Sequence, residues 1–236
     1  MERHINERWR DATLELIAPR ACFSCGNRLR NNDLLCLLCE VQLQECMLPE
    51  CELPGLTPDG RRVVAAFYYR RGSPIRSLHR AAKYEGNIRA ATRLGQFLSD
   101  QLNRLEAAKN LPSTLDSCVS LPSHRAKILD RGLDSTKIIA SQVADGLGLP
   151  YSERLITRIR LSASQSEVTG EERRENVRGV FRCATGNPKR VLLIDDVVTT
   201  GGTLDEAARA LETAGHRVTL AAVAFRREMF SRPSYK

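Results

Sequence analysis

The sequence predicts an α/β fold, a mainly parallel sheet flanked by helices, with a small four-cysteine zinc module at its N-terminal end. Three observations carry that prediction. Val191-Leu192-Leu193-Ile194 is a run of four apolar residues, β-branched at both ends, which suits a strand buried on both faces. A polar loop of hydroxyls and glycines follows, then a helix with Leu204, Ala207, Ala208 and Leu211 on one face, then a second apolar run from Val218 to Phe225. Well ahead of this unit stand two Cys-x-x-Cys pairs, Cys22/Cys25 and Cys36/Cys39.

Charge divides the chain as the motifs do. Residues 1–60 carry 6 basic and 10 acidic side chains, a net of −4, whereas residues 61–236 carry 30 and 18, a net of +12. The organisation expected is an N-terminal helix over 1–20, a zinc module with its linker over 21–60, and the α/β domain over 61–236. The basic field of the large domain favours polyanionic ligands, and a solubilising surface charge is the bland alternative. No run is apolar for long enough to cross a membrane, and no basic start leads into an apolar core and cleavage site, so a cytoplasmic protein without membrane insertion is expected.

Ile5, Trp9, Ala12 and Leu16 recur at helical spacing, and the interspersed acids Glu2, Glu7, Asp11 and Glu15 point that helix toward protein rather than anionic lipid. The next element is the cysteine module. Each pair is too close in sequence for an easy internal disulfide, and Gly26 permits the tight turn of a knuckle. Four thiolates are the ligand set of a closed, structural Zn²⁺ site; redox thiols or free core cysteines are the competing readings. Cys46 and Cys51 could form part of a degenerate knuckle, and Cys118 and Cys183 read as buried hydrophobes.

Leu53 to Gly60, rich in proline and glycine, reads as the linker out of the module. Val63 to Tyr69 then reads as a strand. Ser73 and Pro74 start a helix that buries Ile75, Leu78 and Ala82 and carries Arg76, His79, Arg80 and Lys83 on its polar side. Residues 82–87 break it, and a long helix follows with Ile88, Ala91, Leu94, Leu98, Leu102 and Leu105 as its buried stripe.

Ser117 to Leu121 is the next strand, ending in Pro122-Ser123-His124-Arg125. Asp134 caps a helix through Ile138, Ile139, Val143 and Leu147 that Gly148 stops. Arg154 to Arg160 reads as a short strand that leaves a line of cations on one face. Leu161 to Thr169, holding Gln165, is polar and suits either a lid or an ordinary surface loop; Thr169 with Glu172 makes a capping box before a charged helix containing Arg173.

The chemistry concentrates after Ile194. Backbone N–H groups from Thr199 to Thr203, opened by Gly201 and Gly202 and backed by a helix N-terminus, suit a phosphate. Thr203 and Glu206 look like a capping box for that helix. Asp195 and Asp196 would repel the same phosphate, so they must face hydrogen-bond donors, and sugar hydroxyls fit. The bland alternative is a strand end capped by acids. No Gly-Lys-Ser/Thr follows, so this is no P-loop, and no Gly-x-Gly-x-x-Gly is present.

The stretch 191–204 resembles the phosphoribosyl diphosphate (PRPP) motif of type I phosphoribosyltransferases. That resemblance implies that Asp195 and Asp196 hold the ribose hydroxyls while Val198, Thr199, Thr200, Gly201, Gly202 and Thr203 hold the 5′-phosphate, with Mg²⁺ bridging ribose and pyrophosphate. It implies that the turn with Ser120, Pro122, His124 and Arg125 seats the pyrophosphate, with Lys83, Gln165 and Arg173 over the ligand. The order of the pieces, from the cysteine knuckles to the PRPP motif, resembles the ComF/GntX family over most of the chain. The most specific pieces are the four cysteines, Gln165 with residues 173–181, and residues 191–204. One departure is Leu133-Asp134-Ser135 where the family has Phe-Asn-Gln after Arg-Gly. The resemblance implies a role in DNA uptake during natural transformation, with single-stranded DNA and a helicase or other DNA-uptake protein as partners. The alternative is an active phosphoribosyltransferase acting on a nitrogen base or amine.

Overall fold

A computed structural model describes residues 20–29, 33–49, 55–107, 114–160 and 179–226. The N-terminal helix expected over 1–20, save Arg20, lies outside these residues, as do Cys51, the lid with Gln165, and the charged helix with Arg173.

The elements in chain order are α1 (Leu37–Gln44), β1 (Gly55–Leu56), β2 (Arg62–Tyr68), α2 (Pro74–Tyr84), α3 (Ile88–Ala107), β3 (Ser117–Ser120), α4 (Arg125–Arg131), α5 (Ser135–Leu147), β4 (Ile156–Arg158), β5 (Phe181–Cys183), β6 (Arg190–Val198), α6 (Gly202–Thr213) and β7 (Arg217–Phe225). Five strands form one sheet in the order β1-β2-β7-β6-β3, and β4 and β5 make a separate antiparallel pair. The four strands β2, β7, β6 and β3 are parallel, and β1 joins the edge of β2 antiparallel.

Parallel strands need crossovers that cover both faces, and the strand compositions answer to that. Val191 to Ile194 are wholly buried, and Val63 to Phe67 are buried in succession rather than alternately. Alternation sends Leu192 and Ile194 to one face, against α2, α3 and α5, and Val191 and Leu193 to the other, against α6 and the β4–β5 pair. Each fully buried leucine contributes about 2 kcal/mol of transfer free energy. Helices α3 and α5 approach closely because glycine permits it: a Cβ on Gly95 would stand 2.7 Å from Gln142 Cβ and 2.8 Å from the Ile139 carbonyl oxygen.

Several expectations are corrected. Strand β6 does not end at Ile194; it continues through Asp195, Asp196, Val197 and Val198, so the acids belong to the strand. The linker before residue 61 contains β1 and closes a hairpin on β2. Ile88 is 57% exposed rather than part of the buried stripe, because it opens α3 before the helix reaches the core. His79, expected on the polar side of α2, is buried. The cations of 154–160 form no line, since the strand spans only Ile156–Arg158, with Ile156 buried and Arg158 half-buried.

The cysteine module shares its core with the large domain. Cys22, Leu35, Cys39, Leu43 and Cys46 belong to the apolar cluster that contains Leu78 and Leu98. Past Cys46 the chain runs antiparallel to β2, where Tyr68 N–H donates to the Cys46 carbonyl and Leu48 N–H to that of Ala66. Among the described residues no helix is long and apolar enough to cross a membrane.

Candidate functional site

Strands β3 and β6 are neighbours, yet the chain leaves them toward opposite faces. After β3 it passes to α5, which packs with Leu192 and Ile194; after β6 it passes to α6, which packs with Val191 and Leu193. Such a divergence opens a crevice at the carboxyl ends of the strands. Register deepens it: Ser120, the last residue of β3, pairs with Ile194, so β6 runs on past its neighbour with both acids. A hollow of about 310 Å³ lies there.

Its floor is Asp195 to Gly201 with Thr203, its walls include Leu121 to His124 and Lys83 with Tyr84, and Arg131, Thr136 and Arg158 also line it. Helix α6 begins at Gly202, with Gly201 as its N-cap in the left-handed region at φ 76°. The expected capping box of Thr203 and Glu206 is absent. Thr203 lies within the first turn, and Glu206 instead accepts from Gly179 N–H at 2.6 Å and from Arg209. Gly201 has no side chain with which to cap the first turn, and no side-chain cap bond is made there.

The two acids divide between the faces of the sheet. Asp196 points to the α2 side, where His79 and Lys83, one helical turn apart, both reach its Oδ2; His79 Nε2 does so at 3.1 Å and Lys83 Nζ forms a short ion pair. Its Oδ1 accepts from Val197 N–H at 2.7 Å. Burial works to raise the Asp196 carboxyl, but the His79 hydrogen bond and the Lys83 ammonium outweigh it and hold the group below the ordinary carboxylate range. Asp195 is half-buried, and its Oδ1 accepts from Asp196 N–H at 2.8 Å. Burial, followed by the Asp196 charge, pushes Asp195 up to about 8. Burial lowers Arg158, and the Asp195 carboxyl opposes that shift.

The other expected residues fall out unevenly. Val198, Thr199, Thr200, Gly201, Thr203, Pro122, His124 and Lys83 line the hollow; Gly202 and Ser120 do not. The Ser120 hydroxyl is engaged with Tyr151 at 2.9 Å. His124 is the N-cap of α4, where its Nδ1 accepts from Ala126 N–H at 3.1 Å, and Arg125 opens that helix. Asp134 holds the N-cap position of α5 without capping it: Oδ1 accepts from Ser123 Oγ at 3.3 Å, and Oδ2 is buried with no partner among the described residues. Sequence reasoning missed His79, Arg158 and Thr136. The i, i+4 spacing of His79 and Lys83 was the available signal for the first.

The cysteine cluster is a second candidate site. The four Sγ atoms of Cys22, Cys25, Cys36 and Cys39 lie within 4.8 Å of one another, and Cys25 and Cys36 are 3.6 Å apart. A tetrahedral ion with metal–sulfur bonds of about 2.3 Å has sulfur–sulfur edges of about 3.8 Å, so the four residues fit a Zn²⁺ ion. Burial opposes the Cys22 thiolate, but backbone N–H groups of Cys25, Cys36 and Ser24 outweigh it and draw the thiol down to about 6. Cys46 is buried outside the cluster, Cys118 is buried in β3, and Cys183 is half-buried.

The phosphoribosyl transferase domain family matches residues 128–236. DNA utilization protein YhgH of Salmonella typhi is 26% identical over 191 residues, covering 80% of this chain and 83% of that protein. Competence protein F of Haemophilus influenzae is 26% identical over 104 residues, covering 42% of this chain and 45% of that one. Among solved structures, the glutamine PRPP amidotransferase from B. subtilis, complexed with ADP and GMP, matches at TM-score 0.38 and 18% identity. It covers 62% of this chain, which spans only 30% of that enzyme's length. An adenine phosphoribosyltransferase matches at TM-score 0.36 and 17% identity, covering 66% of this chain and 76% of that one. The fold is a parallel sheet flanked by helices whose C-terminal part matches the phosphoribosyl transferase domain family; a cysteine cluster precedes it, and the relatives are named as competence and DNA-utilization proteins.

Proposed function

We propose that this relative of the DNA-utilization and competence proteins is a ComF-like phosphoribosyltransferase-fold protein that binds PRPP, or a related phosphate ligand, at the tip of β6. The observation that carries the reading is the start of α6. Its first-turn N–H groups face a 310 Å³ hollow with no side chain supplied by the Gly201 cap, and a half-buried carboxyl, Asp195, stands on the same floor. A terminal phosphate takes the donors and a pentose hydroxyl takes the acid. Mg²⁺ would accompany the diphosphate, and Lys83, Pro122, Ser123 and His124, which line the same hollow, support a pyrophosphate seat there. Titration calorimetry with PRPP and Mg²⁺ tests this: saturable binding to the natural chain, lost in Asp195→Asn/Asp196→Asn, is expected. Binding that survives the double change removes these carboxylates from the site.

The protein acts in DNA uptake, in the cytoplasm, with a DNA-handling partner such as a helicase. The names of its relatives and the net +12 over residues 61–236 support this. The domain from 61 onward carries the phosphate site, and the 21–60 module holds a structural Zn²⁺. With only 12 aromatic residues in the whole chain, base stacking is limited, so affinity for single-stranded DNA falls steeply with salt. No oligonucleotide binding at low salt would remove the DNA contact from the proposal.

A second reading, transfer of ribose 5-phosphate from PRPP to a nitrogen base or amine, is favoured by the unequal acids. Adjacent carboxyls driven to opposite sides of their ordinary range are a pattern of acid–base sites. Pyrophosphate release over a panel of nucleobases and small amines decides it.

A further inference from the structure

Asp196 is served by more than a counterion. Behind it runs a chain of hydrogen bonds: Tyr69 Oη lies 3.1 Å from His79 Nδ1, and His79 Nε2 lies 3.1 Å from Asp196 Oδ2. The imidazole is buried and sits edge-to-face with Tyr69, ring centroids 5.5 Å apart. A carboxylate accepts and cannot donate, so the proton facing Asp196 belongs to Nε2. Nδ1, on the other side of the ring, is held by the Tyr69 hydroxyl, which can give or take that hydrogen bond.

We propose that Tyr69 and His79 are positioning residues: the Tyr69 hydroxyl anchors the His79 ring, and the ring's Nε2–H aims the Asp196 carboxylate at the tip of β6. Lys83 supplies charge on a flexible stem, and His79 supplies direction. The aim of Asp196 matters beyond its own contacts. Its Oδ1 takes Val197 N–H, so its side chain is tied to the backbone that leads into the Thr199–Thr203 loop. Losing the Tyr69 hydroxyl frees the ring to turn and loosens its Nε2–H bond to Asp196. The consequence for ligand rests on the PRPP reading above; the anchoring of the ring does not.

Nitrogen-15 NMR of the ligand-free full chain, with calorimetric PRPP–Mg²⁺ titration of each variant, tests both parts. In the natural protein His79 should carry a proton on Nε2 that is hydrogen-bonded to Asp196, and Tyr69→Phe should weaken that bond, read as an upfield shift of the Nε2–H proton. Tyr69→Phe should weaken PRPP binding by about tenfold with little change in the unfolding midpoint. His79→Gln, which keeps an N–H donor, should bind better than His79→Ala. A bare Nε2 in the natural protein, or an Nε2–H signal unchanged in Tyr69→Phe, overturns the proposal. A shifted Nε2–H signal in Tyr69→Phe, in a chain with no PRPP affinity, overturns the ligand reading alone and upholds the relay.

Discussion

Gly201 rests against Thr57: a Cβ at Gly201 would stand 3.2 Å from both the Cα and the Cγ2 of Thr57. The turn between β1 and β2 is therefore the back wall of the α6 N-terminus, although 144 positions separate the two residues. Gly201 also holds φ 76°, a left-handed conformation that side chains disfavour. Gly201→Ala combines both costs and should destabilise the fold by about 1–3 kcal/mol. Urea unfolding measures it, and a midpoint equal to the natural protein's would mean that the loop does not lie against the hairpin.

The same hairpin is tied to α6 by charge. Arg61 reaches Asp205 Oδ1 at 3.0 Å, Asp59 at 3.0 Å and Glu212 at 2.8 Å, and Asp59 N–H donates to Asp205 Oδ2 at 3.0 Å. Asp205 is buried, so Arg61→Ala leaves a carboxylate short of a partner, at a cost of about 1–3 kcal/mol. Arg61→Lys should recover little, because one ammonium cannot serve three carboxylates at once. A double-mutant cycle with Asp205→Asn checks the pair; additive losses would show that they do not interact.

Cys22 and Cys39 lie in the same apolar cluster as Leu78 and Leu98, which couples the cysteine site to the large domain. Structural zinc binding is worth on the order of 10 kcal/mol. Chelation should therefore lower the melting temperature of the entire chain in one transition, instead of releasing only the N-terminal module. Atomic emission should find one zinc per chain, lost in Cys25→Ser. A metal-free protein melting as the natural one does would end the zinc assignment.

Much of this was legible in the sequence because local pattern and tertiary demand coincide. The apolar run of β6 and the stripe of α6 could bury in only one way, and two Cys-x-x-Cys pairs have few uses in a chain expected to be reduced. What was not legible depends on distance. The Thr203–Glu206 spacing is a sound local signal, but Glu206 is claimed by Gly179, 27 residues away, and Gly201 takes the cap. His79 reads as a polar-face residue until β6 delivers Asp196 opposite it, 117 residues later. The Ser120 hydroxyl lies 2.9 Å from that of Tyr151, a partner 31 residues on that no local pattern announces. Adjacent aspartates look equivalent on the page; the alternation of a strand gives one a histidine and a lysine and leaves the other at the hollow.

That inequality has a pH signature. Asp195 holds its proton in the folded chain up to about 8, whereas unfolding lets it ionise near the ordinary value of 3.8. Between those values the folded state binds more protons than the unfolded one, so this residue makes stability fall as pH rises through that window and level off above it. Asp196 has the opposite sign: its contribution is present above the ordinary range and is lost as acid titrates its folded form. Asp195→Asn should therefore flatten the decline, gaining on the order of 1 kcal/mol above the window and nothing below pH 3.8. Ligand affinity should move the other way. A pentose hydroxyl donates to an ionised Asp195, so PRPP binding should strengthen with pH up to about 8 and then plateau. Calorimetry near neutral pH, in buffers of different ionisation enthalpy, should detect net proton release on binding. Proton uptake, or affinity indifferent to pH in the natural chain, would take Asp195 out of the ligand contact.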